Sequence, residues 1–343
     1  MDKRPLKRLR AGILGPGNIA KRHAQALAEL HDEVELVACC GRDEARTRAF
    51  AEQHAANGAL IFTDHHAFLE RAHLDLVIIC LPPFAHSDEV QVAAECGIHI
   101  LIEKPIALTS DAAWAMVHAA ERAGIKTQVG FVYRFGAAVE VLHERLEQGE
   151  IGPVGLLSAR FFANSLNASW WRDRTQSGGQ LVEQTIHLFD LFRYLVVKDN
   201  EPIRVYSRQV NLFHRHLVDY TAEDVNATIL ECASGALGVL YATNAAVPNK
   251  WTKEWQIVTP QLLAEFSDWN HAVFTPTDTL NRVPQTISSE RDPFVAQLQD
   301  LITAIRTNGE TRTPLREGAR SLDLVLAAVR SNESHLPIEF QPT

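Results

Sequence analysis

Two hydrophobic periods alternate over the first 130 residues. Short runs rich in Val, Ile and Leu occupy 8–14, 34–40, 74–80 and 99–102. Between them, 20–30, 44–54, 87–96 and 111–123 carry Ala, Glu, Gln and Arg with apolar positions three and four apart. Strands that are apolar on both faces, separated by amphipathic helices, predict a parallel sheet covered on both sides. The expected architecture is α/β, a doubly wound Rossmann sheet, whose ligands lie outside the carboxyl ends of its strands.

After a strand predicted at 126–133 the pattern changes. A helix over 139–148 stops at Gly149, alternation over 154–164 predicts a long strand, and 181–195 predicts a helix. A strand at 203–212 precedes two more, 225–232 and 236–243, which flank Ala233-Ser234-Gly235 as a hairpin. Strands at 255–258, 262–266 and 272–275 and helices at 294–307 and 315–331 complete the pattern. Long strands joined by hairpins predict a C-terminal α+β domain with a mainly antiparallel open sheet. The expected division is 1–126 for a dinucleotide and 127–343 for substrate and oligomerisation.

Composition narrows the function. At 343 residues, 46% hydrophobic and 22% charged, the chain has enough apolar content for two cores. Its 33 Lys and Arg against 42 Asp and Glu leave a net charge of −9, which excludes a general polyanion binder, so neither nucleic acid nor an anionic membrane is an expected partner. Basic residues cluster at Lys3, Arg4, Lys7, Arg8 and Arg10, but the apolar stretch 11–14 behind them is too short for a signal peptide and is broken by Gly15-Pro16-Gly17. No run approaches the roughly 18 apolar residues of a membrane span. Five cysteines, an odd number without a C-x-x-C, fit a reducing cytoplasm.

Gly15-Pro16-Gly17-Asn18-Ile19-Ala20 is a G-x-G-x-x-A string lying directly after the first strand and opening the first helix. There the glycines let the backbone approach a pyrophosphate held at the helix N-terminus. An acidic residue about 20 positions further on would bind the ribose of NAD. The second strand ends instead in Gly41 and Arg42, a small residue and a fork of donors suited to a 2′-phosphate. The cofactor is therefore NADP or NAD, with NADP favoured. Asp43 stands one or two positions late but within swing of the ribose. Arg22 is expected to add to the local positive field.

The fourth strand runs into Leu81-Pro82-Pro83-Phe84-Ala85-His86 and the fifth into Glu103-Lys104-Pro105, both at the ligand edge. With the Gly-Phe-x-x-Arg-Phe run of 130–135 and the segment Ser177-Gly178-Gly179-Gln180-Leu181-Val182-Glu183-Gln184-Thr185-Ile186-His187-Leu188-Phe189-Asp190, these strings give the chain a resemblance to the glucose-fructose oxidoreductase, inositol dehydrogenase and rhizopine catabolism protein (Gfo/Idh/MocA) family over nearly its whole length. The resemblance implies an NAD(P)-dependent oxidoreductase that interconverts a secondary alcohol and a ketone on a sugar, polyol or cyclic diol. It makes Lys104 the catalytic base and His187 the histidine that meets the substrate hydroxyl. It places Leu81, Pro82, His86 and Glu103 at the cofactor, with Glu103 holding the ribose or nicotinamide side or balancing Lys104, and it implies a cis peptide before Pro105. Glu183, four positions before His187, lies on the same face of a regular helix and joins the catalytic set. Many relatives have Asp where Glu183 stands and Gly where Thr185 stands, which bears on substrate more than on reaction.

Tyr133, Trp171 and Arg172 are the expected substrate contacts, with Asp173 offering further hydrogen bonds from the same polar loop. Arg134 reads equally as a structural pin, and Asp190 and Arg193 as caps and pairs within their own helix. No metal is expected. Glu183 and His187 lack a second histidine, and His65-His66 and His214-x-His216 read as solvated loop or strand-edge residues. Two other classes remain open: a cofactor-retaining glycosidase or lyase that oxidises its sugar transiently, and a non-catalytic NAD(P) sensor. Relatives pair through the second-domain sheet, so a homodimer or homotetramer is expected.

Overall fold

The protein, seen in a computed structural model, is described over residues 7–55, 58–164, 168–196, 202–277 and 283–341. Lys3 and Arg4 of the basic cluster and Ser165, Leu166 and Asn167 of the polar loop lie outside these residues.

The N-terminal segment alternates strand and helix: β1 (Leu9–Leu14), α1 (Asn18–Glu29), β2 (Val34–Cys40), α2 (Glu44–His54), β3 (Leu60–Phe62), α3 (His65–Arg71), β4 (Leu76–Ile79), α4 (Glu89–Glu95), β5 (His99–Ile102), α5 (Ser110–Ala123) and β6 (Thr127–Val129). All strand pairs are parallel, in the order β3-β2-β1-β4-β5-β6 of a doubly wound sheet. Every residue of β4 is fully buried, as a strand covered on both faces requires. β3 and α3, three and seven residues long, are too short for periodicity to reveal. The histidines assigned to a loop, His65 and His66, are in fact the first residues of α3, whose N-terminus Asp64 caps by accepting the Ala67 N–H at 2.8 Å.

The second run of elements is α6 (Ala137–Glu147), β7 (Leu156–Phe162), α7 (Ser169–Arg172), α8 (Arg174–Ser177), a π-helical turn (Leu181–Thr185), α9 (Ile186–Val196), β8 (Pro202–Val210), β9 (Val225–Cys232), β10 (Leu237–Thr243), β11 (Thr252–Val258), β12 (Leu262–Phe266), β13 (Ala272–Pro276) and β14 (Gln285–Ile287). Then follow α10 (Pro293–Thr307), α11 (Leu315–Ser334) and β15 (Ile338–Glu339). Nine strands form one sheet, β14-β13-β12-β11-β7-β10-β9-β8-β15, antiparallel except where β10 meets β7. Its strands alternate buried and open positions, the signature of a half-covered sheet. α9 covers the buried face, coming so close to β10 that a Cβ on Gly238 would lie 2.6 Å from the Phe192 ring.

Three features depart from expectation. The strand predicted over 126–133 ends at Val129, and Val132–Phe135 close a 3₁₀ turn that carries Tyr133. The helix predicted over 181–195 begins as the π turn. The loop with the two tryptophans folds into the single turns α7 and α8.

The packing also does not follow a single cut near residue 127. One unit comprises Met1–Ile106, Asp111–Gly130 and Asp292–Gly318, the other Ala107–Ser110, Phe131–Arg291 and Ala319–Thr343. α10 returns to the first unit because Leu298, Leu301 and Ile302 complete the core built by β1, β2, β4 and α1. Among the described residues no helix is long and apolar enough to cross a membrane.

Candidate active site

In the first unit, β1 turns into α1 through Gly15-Pro16-Gly17. Gly15 has φ +89°, and a Cβ there would lie 2.9 Å from the Cys80 carbonyl oxygen, so the turn admits only glycine. Gly17 caps α1 without a side-chain bond, and a Cβ on it would meet nothing closer than 3.9 Å. The space before the α1 N–H groups is thus clear for a pyrophosphate approaching Gly15, Gly17, Asn18 and Ile19. Gly41 packs on Pro16, where a Cβ would lie 2.7 Å from its ring, and Arg42 beyond it is exposed. These residues fit a dinucleotide.

Two expectations for this edge need correction. The Asp43 carboxylate caps α2 by accepting the Arg46 N–H at 3.0 Å, so it is already engaged in its own helix. Arg22 pairs with Asp292 at 2.9 Å, which offsets part of its charge.

Leu81 and Pro82 follow β4, with Leu81 packed beside Gly15. His86 Nδ1 lies 2.5 Å from Glu89 Oε1, and Glu89 also accepts the Ser87 N–H at 2.8 Å. Burial pushes the Glu89 carboxyl up, but these bonds and the charge of His86 outweigh it and hold it below the usual carboxylate range.

Glu103, 7% exposed, accepts from Lys104 N at 3.3 Å and sits 2.8 Å from His23 Nε2. Its carboxylate therefore anchors the base of the loop. Gly130 makes room for it: a Cβ there would lie 2.6 Å from Oε2. Lys104 is half-buried and the bond to Pro105 is cis. Nearby thiols contribute nothing nucleophilic, since burial, with the Cys40 charge for Cys39 and the Asp64 charge for Cys40, pushes both up to about 12.

In the second unit, Gly178 and Gly179 have φ of +77° and +89°. A Cβ on Gly179 would fall 2.4 Å from Glu223, which accepts the Gln180 N–H at 3.3 Å. The chain then opens into the π turn, pinned where Asn226 Nδ2 donates to Gln180 Oε1 at 2.7 Å and to Thr185 Oγ1 at 3.2 Å. Thr185 is thus an anchor of the wide turn. π turns recur at functional sites because the extra residue re-aims the side chains that follow.

Glu183 is buried inside the turn and His187 stands half-buried just beyond it. Tyr133 joins them. Its ring stacks on His187 at 4.6 Å and 12°, and burial together with the Glu183 charge raises its phenol well above the ordinary range. Tyr133 is 2% exposed, and among the described residues its hydroxyl has no hydrogen-bond partner, a condition that buried polar atoms rarely tolerate away from a site.

Arg134 is buried and donates to both Asp190 oxygens, at 2.9 and 2.6 Å. Asp190 therefore reaches across to the Tyr133 segment. Arg193 likewise donates outward, to Ser321 Oγ at 3.1 Å.

Trp171 packs edge-on against Trp170 and Trp251 at 5.6 and 6.4 Å. Arg172 reaches Asp219 at 3.3 Å. Asp173 caps α8 by accepting the Thr175 N–H at 2.8 Å, so it is committed to its helix and is no open hydrogen-bond partner.

His65 and His66 both turn to Asp88, at 2.8 and 3.3 Å, and are not simply solvated; His214 bonds Asp224 at 3.0 Å. Among the described residues, the one trio of metal-ligating types whose donor atoms lie within 4.8 Å is His65, His66 and Asp88, which includes neither Glu183 nor His187.

Three family profiles match the chain end to end: the oxidoreductase-family NAD-binding Rossmann fold over residues 9–131, the GFO/IDH/MocA C-terminal domain over 139–260, and the oxidoreductase-family C-terminal alpha/beta domain over 251–340. The chain belongs to the Gfo/Idh/MocA oxidoreductases. Within that family it is 28% identical to the scyllo-inositol 2-dehydrogenase (NAD(+)) of Bacillus subtilis over 97% of this chain and 96% of that one. It is 27% identical to the inositol 2-dehydrogenase of Rhizobium meliloti, covering 94% and 96%. A levoglucosan dehydrogenase solved with NADH has the same fold, with a TM-score of 0.90 at 19% identity over 98% of this chain and all of that one. The first unit is thus an NAD-binding Rossmann domain of a family of sugar and polyol dehydrogenases.

Set in that family, the nucleotide strings, Lys104, Glu183, His187 and Tyr133 were visible in sequence. His23, the Glu103 partner, and Glu89, the His86 partner, were not. His23 left one trace: it shares the α1 face with the buried Ala20, Ala24 and Leu27, where a histidine is out of pattern.

Proposed function

We propose that this oxidoreductase interconverts a secondary alcohol and a ketone on a sugar, polyol or cyclic diol, with Lys104 and His187 handling the hydroxyl proton. The observation that carries the reading is the stack of His187 on Tyr133 beside the buried Glu183. It fixes the imidazole against a phenol that feels the Glu183 charge, groups that can orient an alcohol and pass its proton. The nicotinamide, when bound, takes the hydride. Tyr133 stays protonated and serves as a wall and a donor. Relatives named for inositols and levoglucosan support the substrate class. His187→Ala is expected to leave nucleotide binding intact and lower kcat by about 10²-fold or more. Wild-type turnover in that variant removes the assignment.

For the nucleotide, we favour NADP on the exposed Arg42 next to Gly41. Arg42→Ala should raise the KM for NADP about ten-fold or more and leave that for NAD within a few-fold, a difference of roughly one charge-assisted contact. An equal change for both nucleotides defeats the preference.

A homodimer or homotetramer through the nine-stranded sheet is the proposed assembly. Its uncovered face presents Tyr206, Ile229 (49% exposed), Leu237, Tyr241, Val258 and Val273, apolar side chains that a partner subunit would cover. Light scattering should return at least a dimer mass; a monomer at micromolar concentration contradicts it. The free thiols support a cytoplasmic location.

A further inference from the structure

Asp43, Asp64, Asp173 and Asp292 each stand at the N-cap of a helix and accept a backbone N–H from its first turn. Asp88 stands at the N-cap of α4 and makes no such bond. Its carboxylate turns instead to the start of α3, where Oδ1 lies 2.8 Å from His65 Nε2 and Oδ2 lies 3.3 Å from His66 Nε2. An aspartate that gives up its cap for two imidazoles needs a reason.

The two imidazoles are adjacent in the chain, with ring centres 4.4 Å apart and planes inclined by 36°. One donor atom from each ring and a carboxylate oxygen of Asp88 all lie within 4.8 Å of one another. Neighbouring donors around a tetrahedral ion with bonds of about 2.0–2.1 Å are about 3.4 Å apart. Small side-chain rotations therefore bring the three groups onto one ion. The side chains are 25%, 45% and 53% exposed in the order His65, His66, Asp88, so an ion can enter from solvent and keep a water in the position that the protein leaves open.

The placement is that of a clip. α3 follows β3 and Asp88 follows β4, strands that β2 and β1 separate in the sheet. Asp88 also precedes Glu89, whose carboxylate accepts the Ser87 N–H at 2.8 Å and meets His86 Nδ1 at 2.5 Å. An ion on Asp88 ties α3 to the segment that carries His86.

We propose that His65, His66 and Asp88 form a site for a divalent transition ion of the zinc class, a structural clip between α3 and the start of α4. Two imidazole nitrogens and one carboxylate oxygen select zinc, cobalt, nickel or copper over magnesium and calcium, which prefer oxygen shells. Each ring ligates through Nε2 in its neutral form, with the remaining proton on Nδ1, and the carboxylate balances one of the two charges of the ion. None of the three ligands belongs to the residues assigned to the dehydrogenase chemistry, so the site stands or falls separately from that reading.

Full-length protein without an affinity tag, stripped with a chelator and dialysed, is titrated with zinc chloride against a chromophoric zinc indicator. It should take up one zinc per chain with a Kd of about 10 µM or below. H65A, H66A and D88N should each weaken that binding by about ten-fold or more, since losing a ligand costs at least as much as losing an outer-shell partner. Magnesium in millimolar excess should not displace the zinc. H214A, which alters a histidine bonded to Asp224, should bind as wild type does. Zinc should raise the midpoint of thermal unfolding in wild type and not in the three ligand variants. Melts without metal check that each variant folds; one that does not is replaced by H65Q, H66Q or D88S. Less than one zinc per chain at about 100 µM, any ligand variant weakened by less than about ten-fold, or displacement by magnesium overturns the site. So does H214A weakened as much as the ligand variants, which would show an adventitious ion only.

Discussion

Lys104→Met is expected to abolish turnover, lowering kcat by about 10²- to 10⁴-fold, the range that a positioned acid or base contributes. Methionine keeps most of the length and apolar bulk of the side chain and removes the ammonium. The surrounding frame has anchors of its own: the backbone N–H of residue 104 donates to Glu103, Glu103 is locked to His23, and Gly130 leaves the room this carboxylate needs. Nucleotide affinity should therefore change by no more than a few-fold, as read by nucleotide titration alongside kcat. A variant that turns over within a few-fold of wild type would show that another group takes the proton.

The largest effect on stability is expected at Arg134. Both its guanidinium and the Asp190 carboxylate are almost fully buried, joined by two parallel bonds, with Arg134 also resting on the Tyr194 ring at 4.6 Å. Arg134→Leu takes two charge-assisted bonds from the buried Asp190, which keeps the Ser321 hydroxyl at 3.2 Å. That should cost about 3–5 kcal/mol in denaturant unfolding, because removing one partner of a buried pair strands the other. Replacing both by leucine should recover a large part of the loss, since two apolar groups need no partner. A single variant as stable as wild type would mean that the pair contributes little. Tyr133 adjoins Arg134 in the chain, so the single variant should also loosen the His187 stack and depress kcat beyond what its folded fraction explains.

What could be read in the sequence was what is local. The G-x-G-x-x-A turn, the Glu-Lys-Pro end of β5 and the alternation of β7 and β9 each depend on residues within a few positions of one another. The return of α10 to the first unit was hidden because an apolar stripe says that a helix needs a core without saying which core. The π turn was hidden because a periodic reading assumes a constant 3.6 residues per turn, and only Glu223, Asn226 and the two left-handed glycines, distant in part, make the wider turn affordable. The partners that orient the site residues were equally invisible: His23 meets Glu103 and Arg134 meets Asp190 across long stretches of chain.

The central claim is that this chain oxidises a sugar-like alcohol with Lys104 and His187 moving its proton. The most direct test follows reduced-nicotinamide absorbance while wild type, Lys104→Met and His187→Ala are each given a panel of neutral sugars, inositols, cyclic diols and sugar acids with NAD and with NADP. The account predicts saturable reduction by wild type with at least one member of the panel, and loss of that turnover in both variants while nucleotide still binds. Wild type that binds nucleotide yet reduces it with none of the panel, or variants that both turn over at the wild-type rate, would contradict it.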